Sequence, residues 1–217
     1  MEKLAIFDVD FTLTKKETFI ELYLFMMIKN PRLIMHMPRS LKIAFFYLFK
    51  IYDAGKAKEA FGKFLEGIHE EQMQKLVKEF YEKRLSKILY EDAIDTIKKL
   101  KNEGYKIYLI SASPEIYLNE LYSIKEVDKI IGTKLRCENG IFRSIIEGEN
   151  CKGEEKVRRL KEVLEKENIH VDFKESYMFS DSLSDLPLFR LVGKPYLINY
   201  KGKHSKNKDK IEILKWK

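Results

Sequence analysis

The stretch Leu4-Ala5-Ile6-Phe7-Asp8-Val9-Asp10-Phe11-Thr12-Leu13-Thr14 decides the fold. Leu4 to Phe7 is a continuous apolar run, the pattern of a strand buried on both faces of a parallel sheet. It ends on Asp8, with Asp10 and Thr12 following at spacing two. In a loop leaving a strand, that spacing turns two carboxylates toward one point beyond the carboxyl edge of the sheet, where open α/β sheets bind ligands. Two carboxylates so close repel each other unless a cation or a shared proton relieves them. Aspartates after strands also serve as turns and helix caps, so the motif needs company elsewhere in the chain.

Composition sets the frame. The chain has 217 residues, 45% of them hydrophobic, enough for a real core in one domain or one domain with a sizeable insertion. Its two cysteines, Cys137 and Cys151, form neither a disulfide framework nor a metal-ligand spacing. Free thiols in a reducing cytoplasm are the expectation. Asp8 and Asp10 fall where a signal peptide needs apolar residues, so secretion is not expected. No apolar run reaches the length of a membrane span. The net charge of +7 is unevenly placed. Residues 29–58 carry seven bases against Asp53, and residues 201–217 carry seven lysines against Asp209 and Glu212. Nucleic-acid binders interleave such bases with aromatics on one surface. The lysine-rich end reads instead as a solvated tail, and no nucleic-acid partner is expected.

Residues 17–52 are apolar with helical period, punctuated by Pro31 and Pro38. Leu41–Tyr52 reads as a buried or interfacial helix, too short to cross a bilayer. Ala54-Gly55 reads as a break. Ala57, Ala60, Phe61, Phe64 and Leu65 then form one helical face, and Met73, Leu76, Val77, Phe80, Tyr81 and Leu85 another. The expected organisation is a helical cap at 16–88, inserted into an α/β core made of 1–15 and 89–217. From Tyr90 strands and helices alternate, which argues for a parallel sheet. Strands are expected at 105–111, 129–133, 176–180 and 194–199, with a helix over 154–166. Ser113-Pro114-Glu115 reads as N-cap, first-turn proline and first-turn acid. Asn139-Gly140 between two β-prone runs predicts a two-residue hairpin. A second strand-end aspartate, Asp181, follows the strand at 176–180, the fourth when Leu4–Phe7 is counted first, and Asp185 comes four residues later.

The order DVDFT (Asp8–Thr12), LIS (Leu109–Ser111), a lysine before the fourth strand and SDSLSDLP (Ser180–Pro187) resembles the haloacid-dehalogenase-like phosphohydrolases. More narrowly it resembles their phosphoserine-phosphatase-like branch, subfamily IB. SASPE (Ser111–Glu115), the Asn-Gly hairpin and NCKGEEKV (Asn150–Val157) extend the likeness over nearly the whole chain. The resemblance implies a doubly wound, Rossmann-like α/β core under a helical cap, and a Mg²⁺-dependent phosphatase of a small phosphorylated substrate. Asp8 would be the nucleophile and Asp10 the acid–base. The metal would be held by Asp8, Asp181 and the Asp10 carbonyl, and the phosphate by Ser111 and a lysine. Asp185 and Thr12 would support them from behind. Lys152 and Lys156 both precede the fourth strand. Lys156 is preferred because Leu160, four residues on, continues an apolar stripe, and because a lysine in the first turn opposes the helix dipole.

Two departures bear on the substrate. Phe11 stands where many relatives have glycine. Glu17 matches the acid with which phosphoserine phosphatases grip the amino-acid portion, but no arginine stands near Lys56–Lys63. An apolar, basic cap would also suit a lipid-type phosphate or a peripheral membrane contact. A phosphoacceptor switch domain uses similar residues, but has its acceptor on a middle strand and no helical insertion.

Overall fold

The computed structural model describes residues 1–36, 38, 42, 43, 46, 51–201 and 211–217. The expected helix Leu41–Tyr52 falls largely outside these residues, as do His204 and much of the lysine-rich stretch around it. Six parallel strands form the main sheet: β1 (Leu4–Phe7), β2 (Lys106–Pro114), β3 (Val127–Thr133), β6 (Tyr177–Ser180), β7 (Lys194–Ile198) and β8 (Glu212–Leu214). Their order is β3-β2-β1-β6-β7-β8. Between them in sequence, β4 (Leu135–Glu138) and β5 (Ile141–Ile146) make a separate antiparallel hairpin. Its turn residues Asn139 and Gly140 both have positive φ, +51° and +72°, as a primed two-residue turn requires.

The first strand sits where the winding reverses, between β2 and β6, so the loop after it opens at the switch point of the sheet. Its alternate side chains enter two separate cores. Leu4 and Ile6 pack with Leu160, Leu164, Leu188 and Phe189; Ala5 and Phe7 pack with Ile97, Leu100 and Trp216. Burial on both faces explains the unbroken apolar run of β1.

Among the described residues, the chain between β1 and β2 forms α1 (Thr18–Lys29), a 3₁₀ turn at Pro31–His36, α2 (Ala54–Phe61), α3 (Glu70–Lys83) and α4 (Glu91–Asn102), with 3₁₀ turns after α2 and α3. Phe19 and Tyr23 of α1 meet Phe61 and Phe64 at ring-centroid distances of 5.1–5.4 Å. The excursion leaves and returns at one place, where Thr14 bridges Leu89 and the Tyr90 amide donates to the Leu13 carbonyl at 2.9 Å. Hairpin β4–β5 leans on these helices. The Glu59 carboxylate accepts from the Ile146 amide, the Glu66 carboxylate from the Ser144 amide, and His69 bridges Ile141.

Three expectations are corrected. Ala54-Gly55 is no break: Asp53 caps α2 by accepting from the Lys56 amide at 2.8 Å. Ser113 is no helix cap: β2 runs on to Pro114, and helix α5 (Glu115–Leu118) starts without a side-chain cap. The chain's last residues are not a solvated tail: β8 pairs with β7, and Trp216 lies buried against Phe7, Phe179 and Tyr90. Flanking lysines dilute the apolar signal of this short edge strand, which hides it from periodicity.

Candidate active site

Register builds the site. Phe7 pairs with Leu109 of β2 and Phe179 of β6, so Asp8 emerges flanked by the ends of both strands. Its amide donates to the Phe179 carbonyl at 2.9 Å. From helix α6 (Glu154–Lys166), the ammonium of Lys156 donates to Asp8 at 2.8 Å and to Asp185 at 2.7 Å. Asp185 also accepts from the Ser180 hydroxyl at 2.8 Å. It therefore caps no helix with its side chain, although α7 (Leu186–Leu191) starts directly after it. Of the two lysines that the sequence leaves open, Lys156 is buried against Asp8; Lys152 is exposed.

One ammonium facing two buried carboxylates leaves a surplus negative charge. Burial pushes Asp8 up to about 7, and Asp185 adds to this against the pull of Lys156. Burial would lower Lys156, but Asp185 and Asp8 outweigh it and hold its pKa above the ordinary value. Asp181 is pushed up to about 6, first by burial and then by Asp185.

Asp10 points away from this pair. One of its oxygens, Oδ1, accepts from the Thr18 amide at 2.7 Å and the Thr18 hydroxyl at 2.6 Å; Oδ2 accepts from the Ser113 hydroxyl at 2.6 Å. Thr12 is fully buried, and its hydroxyl accepts from the Asp181 amide at 2.8 Å. It thus ties the loop after β1 to the loop carrying Asp181. Ser111, buried in β2, accepts from the Ser113 amide at 3.1 Å. Phe11 holds a left-handed φ of +57° with its ring about half exposed.

Sequence reading missed Lys58, Asn150 and Ser113. The Lys58 ammonium, carried by α2, donates to the Ala112 carbonyl and to Asn150 Oδ1. The Thr133 hydroxyl of β3 lies within hydrogen-bond distance of the same two acceptors, 2.5 Å from the Ala112 carbonyl and 3.1 Å from Asn150 Oδ1. Burial lowers Lys58 to about 8 against the attraction of Asp10 and Glu17. Glu17 caps α1, and burial, followed by Asp10, pushes it up to about 7. No spacing rule links residue 58 to residue 112, so this lysine leaves no signal in the sequence.

The donor set suits Mg²⁺, which takes one or two carboxylates and completes its shell with waters and substrate oxygens. Among the described residues no three Asp, Glu, His or Cys side chains converge as a ready cage. Asp8 and Asp181, both pushed upward, are nevertheless carboxylates short of positive charge. Asp185 Oδ1 is buried without a hydrogen-bond partner, a polar atom left over for something the chain does not supply.

A strand-end aspartate at the switch point of a parallel sheet, bonded to a buried lysine, with a second aspartate ending the neighbouring strand, marks a ligand site at the carboxyl edge of an α/β fold. The model of the haloacid dehalogenase-like hydrolase family matches residues 5–190, and the chain belongs to that family. Protein CicA of Caulobacter vibrioides is 31% identical over 162 residues, 74% of this chain and 72% of its own length. A phosphoserine phosphatase of Methanocaldococcus jannaschii is 27% identical over 133 residues, 58% of this chain and 62% of that one. A solved protein of unknown function from Bordetella pertussis superposes with a TM-score of 0.88 at 20% identity, covering 99% of this chain and 98% of that one. The chain is an enzyme of the phosphatase kind within this family, similar to phosphoserine phosphatases.

Proposed function

We propose that the chain is a Mg²⁺-dependent phosphomonoester hydrolase that works through an aspartyl-phosphate on Asp8. The observation that carries the reading is the bond from buried Lys156 to Asp8 and Asp185, because it puts a fixed cation beside the nucleophile's oxygen. Asp8 and Asp181, with the Asp10 carbonyl, would hold Mg²⁺, which when bound supplies charge neutralisation for a dianionic phosphate. The Asp8 carboxylate attacks phosphorus in line and the ester oxygen leaves. Asp10 gives that oxygen its proton, then takes one from the water that hydrolyses the acyl-phosphate. Ser111 and Lys156 hold the non-bridging oxygens, where transition-state charge spreads. Asp185 fixes Lys156, and Thr12 fixes the loop carrying Asp181.

The helices of 16–88 act as the cap, moving to admit substrate and exclude water. Their single point of departure and return at Thr14 and Leu89 supports that division. Glu17 and Lys58, one anionic and one cationic group beside Asp10, favour a small metabolite whose leaving group carries charge, in a cytoplasmic setting. A more apolar phosphate remains the second reading, supported by the half-exposed rings and side chains of Phe11 and Ile20. Among the described residues no helix is long and apolar enough to cross a membrane.

Hydrolysis of p-nitrophenyl phosphate with and without Mg²⁺ tests the reading. Activity is expected only with the metal and is expected to vanish in Asp8→Asn. Undiminished turnover in that variant would remove Asp8 as nucleophile.

A further inference from the structure

Asp10 is held by hydroxyls whose own arrangement has a direction. A carboxyl oxygen without a proton only accepts, so the Thr18 hydroxyl must spend its single proton on Asp10 Oδ1, and Ser113 donates to Oδ2 whenever that oxygen carries no proton. Thr18 Oγ1 also lies 3.0 Å from the Tyr117 hydroxyl. With its proton committed to Asp10, Thr18 can only accept there, so the bond between the two is one that Tyr117 donates, although the Ser113 hydroxyl is a second partner of Tyr117. Tyr117, Thr18 and Ser113 are all buried, with no exposure at Tyr117 and Thr18. The alternative for an unanchored Thr18 rotor is Ser113 Oγ, 3.3 Å away.

We propose that Tyr117 is a positioning residue for the acid–base step, its hydroxyl locking the Thr18 proton onto Asp10 Oδ1 so that Oδ2 exchanges the proton with the leaving group. This rests on the reading of Asp10 as the acid–base. Oδ1 carries two donors and Oδ2 one, which leaves Oδ2 the oxygen with spare capacity. The lock also joins two parts of the chain. Thr18 opens α1, the first helix of the cap, and Tyr117 belongs to α5, which follows β2. The acid–base carboxylate is therefore aligned only while the start of α1 is seated on α5. Tyr117 is itself held by Phe19 and Phe80, whose rings lie 6.2 and 5.9 Å from its own. Removing only the hydroxyl leaves that packing in place.

The test measures kcat/KM for 2,4-dinitrophenyl, 4-nitrophenyl and phenyl phosphate with Mg²⁺ present. The first leaving group needs no proton and the last does. In Tyr117→Phe, phenyl phosphate hydrolysis is expected to fall about tenfold while the dinitrophenyl ester and KM hold within twofold. Thr18→Val should reproduce this signature and Thr18→Ser should retain wild-type behaviour; the double variant Tyr117→Phe with Thr18→Val should be no worse than Thr18→Val. An equal loss on all three esters, or none on phenyl phosphate, would overturn the assignment of Tyr117. Asp10→Asn separates the two readings. If it shows no leaving-group dependence, Asp10 is not the acid; if it does and Tyr117→Phe does not, the acid stands and the lock falls.

Discussion

The ammonium of Lys156 is 2.7 Å from Asp185, and both side chains are almost fully removed from solvent. A pair buried this deeply is costly to break from one side, because the survivor keeps its charge without a partner. Here the survivors would be two, Asp8 and Asp185.

Lys156→Met should therefore destabilise the fold by about 3–5 kcal/mol in the metal-free protein, the range for one-sided loss of a buried ion pair. Turnover should be lost as well. Lys152→Ala, at an exposed position, should change stability by no more than about 0.5 kcal/mol and leave turnover near wild type. Denaturant unfolding and steady-state kinetics on both variants check this. Severe loss of turnover in Lys152→Ala alone would reverse their roles.

The acidic site also predicts how stability responds to pH. Asp8 and Glu17 stand at about 7 and Asp181 at about 6, against ordinary values of 3.8 and 4.5. A carboxyl raised in the folded state binds its proton more tightly folded than unfolded. The stability it supports is full below its unfolded pKa and is lost as pH rises through 6 to 7. Metal-free protein should thus melt lower at pH 8 than at pH 5.5. Mg²⁺, by supplying the missing charge, should raise the melting temperature more at pH 8. Equal shifts at both values in scanning calorimetry would mean that the carboxylates are not what the metal relieves.

How much of this was legible in the sequence follows from the kind of signal each part leaves. β1 announced itself by four apolar residues, and helix 154–166 by a stripe at helical spacing. Asn139-Gly140 fixed its hairpin because few other residues tolerate two positive φ angles in succession. Asp8 and Asp181 stood out as strand-end acids, with Asp10 two residues beyond the first, in a recognisable order. β8 escaped because an edge strand of three residues is too short for a period. Lys58 escaped because its partners, Ala112 and Asn150, are brought to it only by the fold. Ser113 was misread because Ser-Pro-Glu before a helix is a sound local cap signal, here overridden by the demand of Asp10 for a donor.

The missed C-terminal strand carries a prediction of its own. Trp216 closes the Ala5/Phe7 side of the sheet, with its ring 5.7 Å from Phe179 and 6.4 Å from Phe7, the residue before Asp8. Its amide donates to Asn199 at 3.0 Å. Trp216→Ala should cost about 3–5 kcal/mol, the usual range for deleting a buried tryptophan side chain. Removal of residues 211–217 should cost at least as much, because β7 would become an exposed edge. A change below about 1 kcal/mol in either would show that this end of the chain is not part of the core.

Lys58 offers the sharpest test of whether the helices at 16–88 serve the chemistry. It is the one α2 side chain that bonds both to Ala112, beside Ser111, and to Asn150, in the loop leading to Lys156. Two roles follow from that position. As a strut, it holds α2 down on the core. As a cation beside Glu17 and Asp10, it would attract an anionic group on the leaving portion of the substrate. Lys58→Met keeps the length of the stem and removes the charge, so it separates the two. If Lys58 acts on the substrate, KM for phosphoserine should rise at least tenfold while kcat/KM for p-nitrophenyl phosphate, which has no carboxylate, stays within about threefold; on ordinary affinity arithmetic a tenfold change is about 1.4 kcal/mol. Lys58→Arg should recover much of the loss, since a guanidinium binds a carboxylate in two places. If Lys58 is only a strut, both substrates should suffer alike and arginine should help neither. Kinetics on the two substrates with the two variants decides between them.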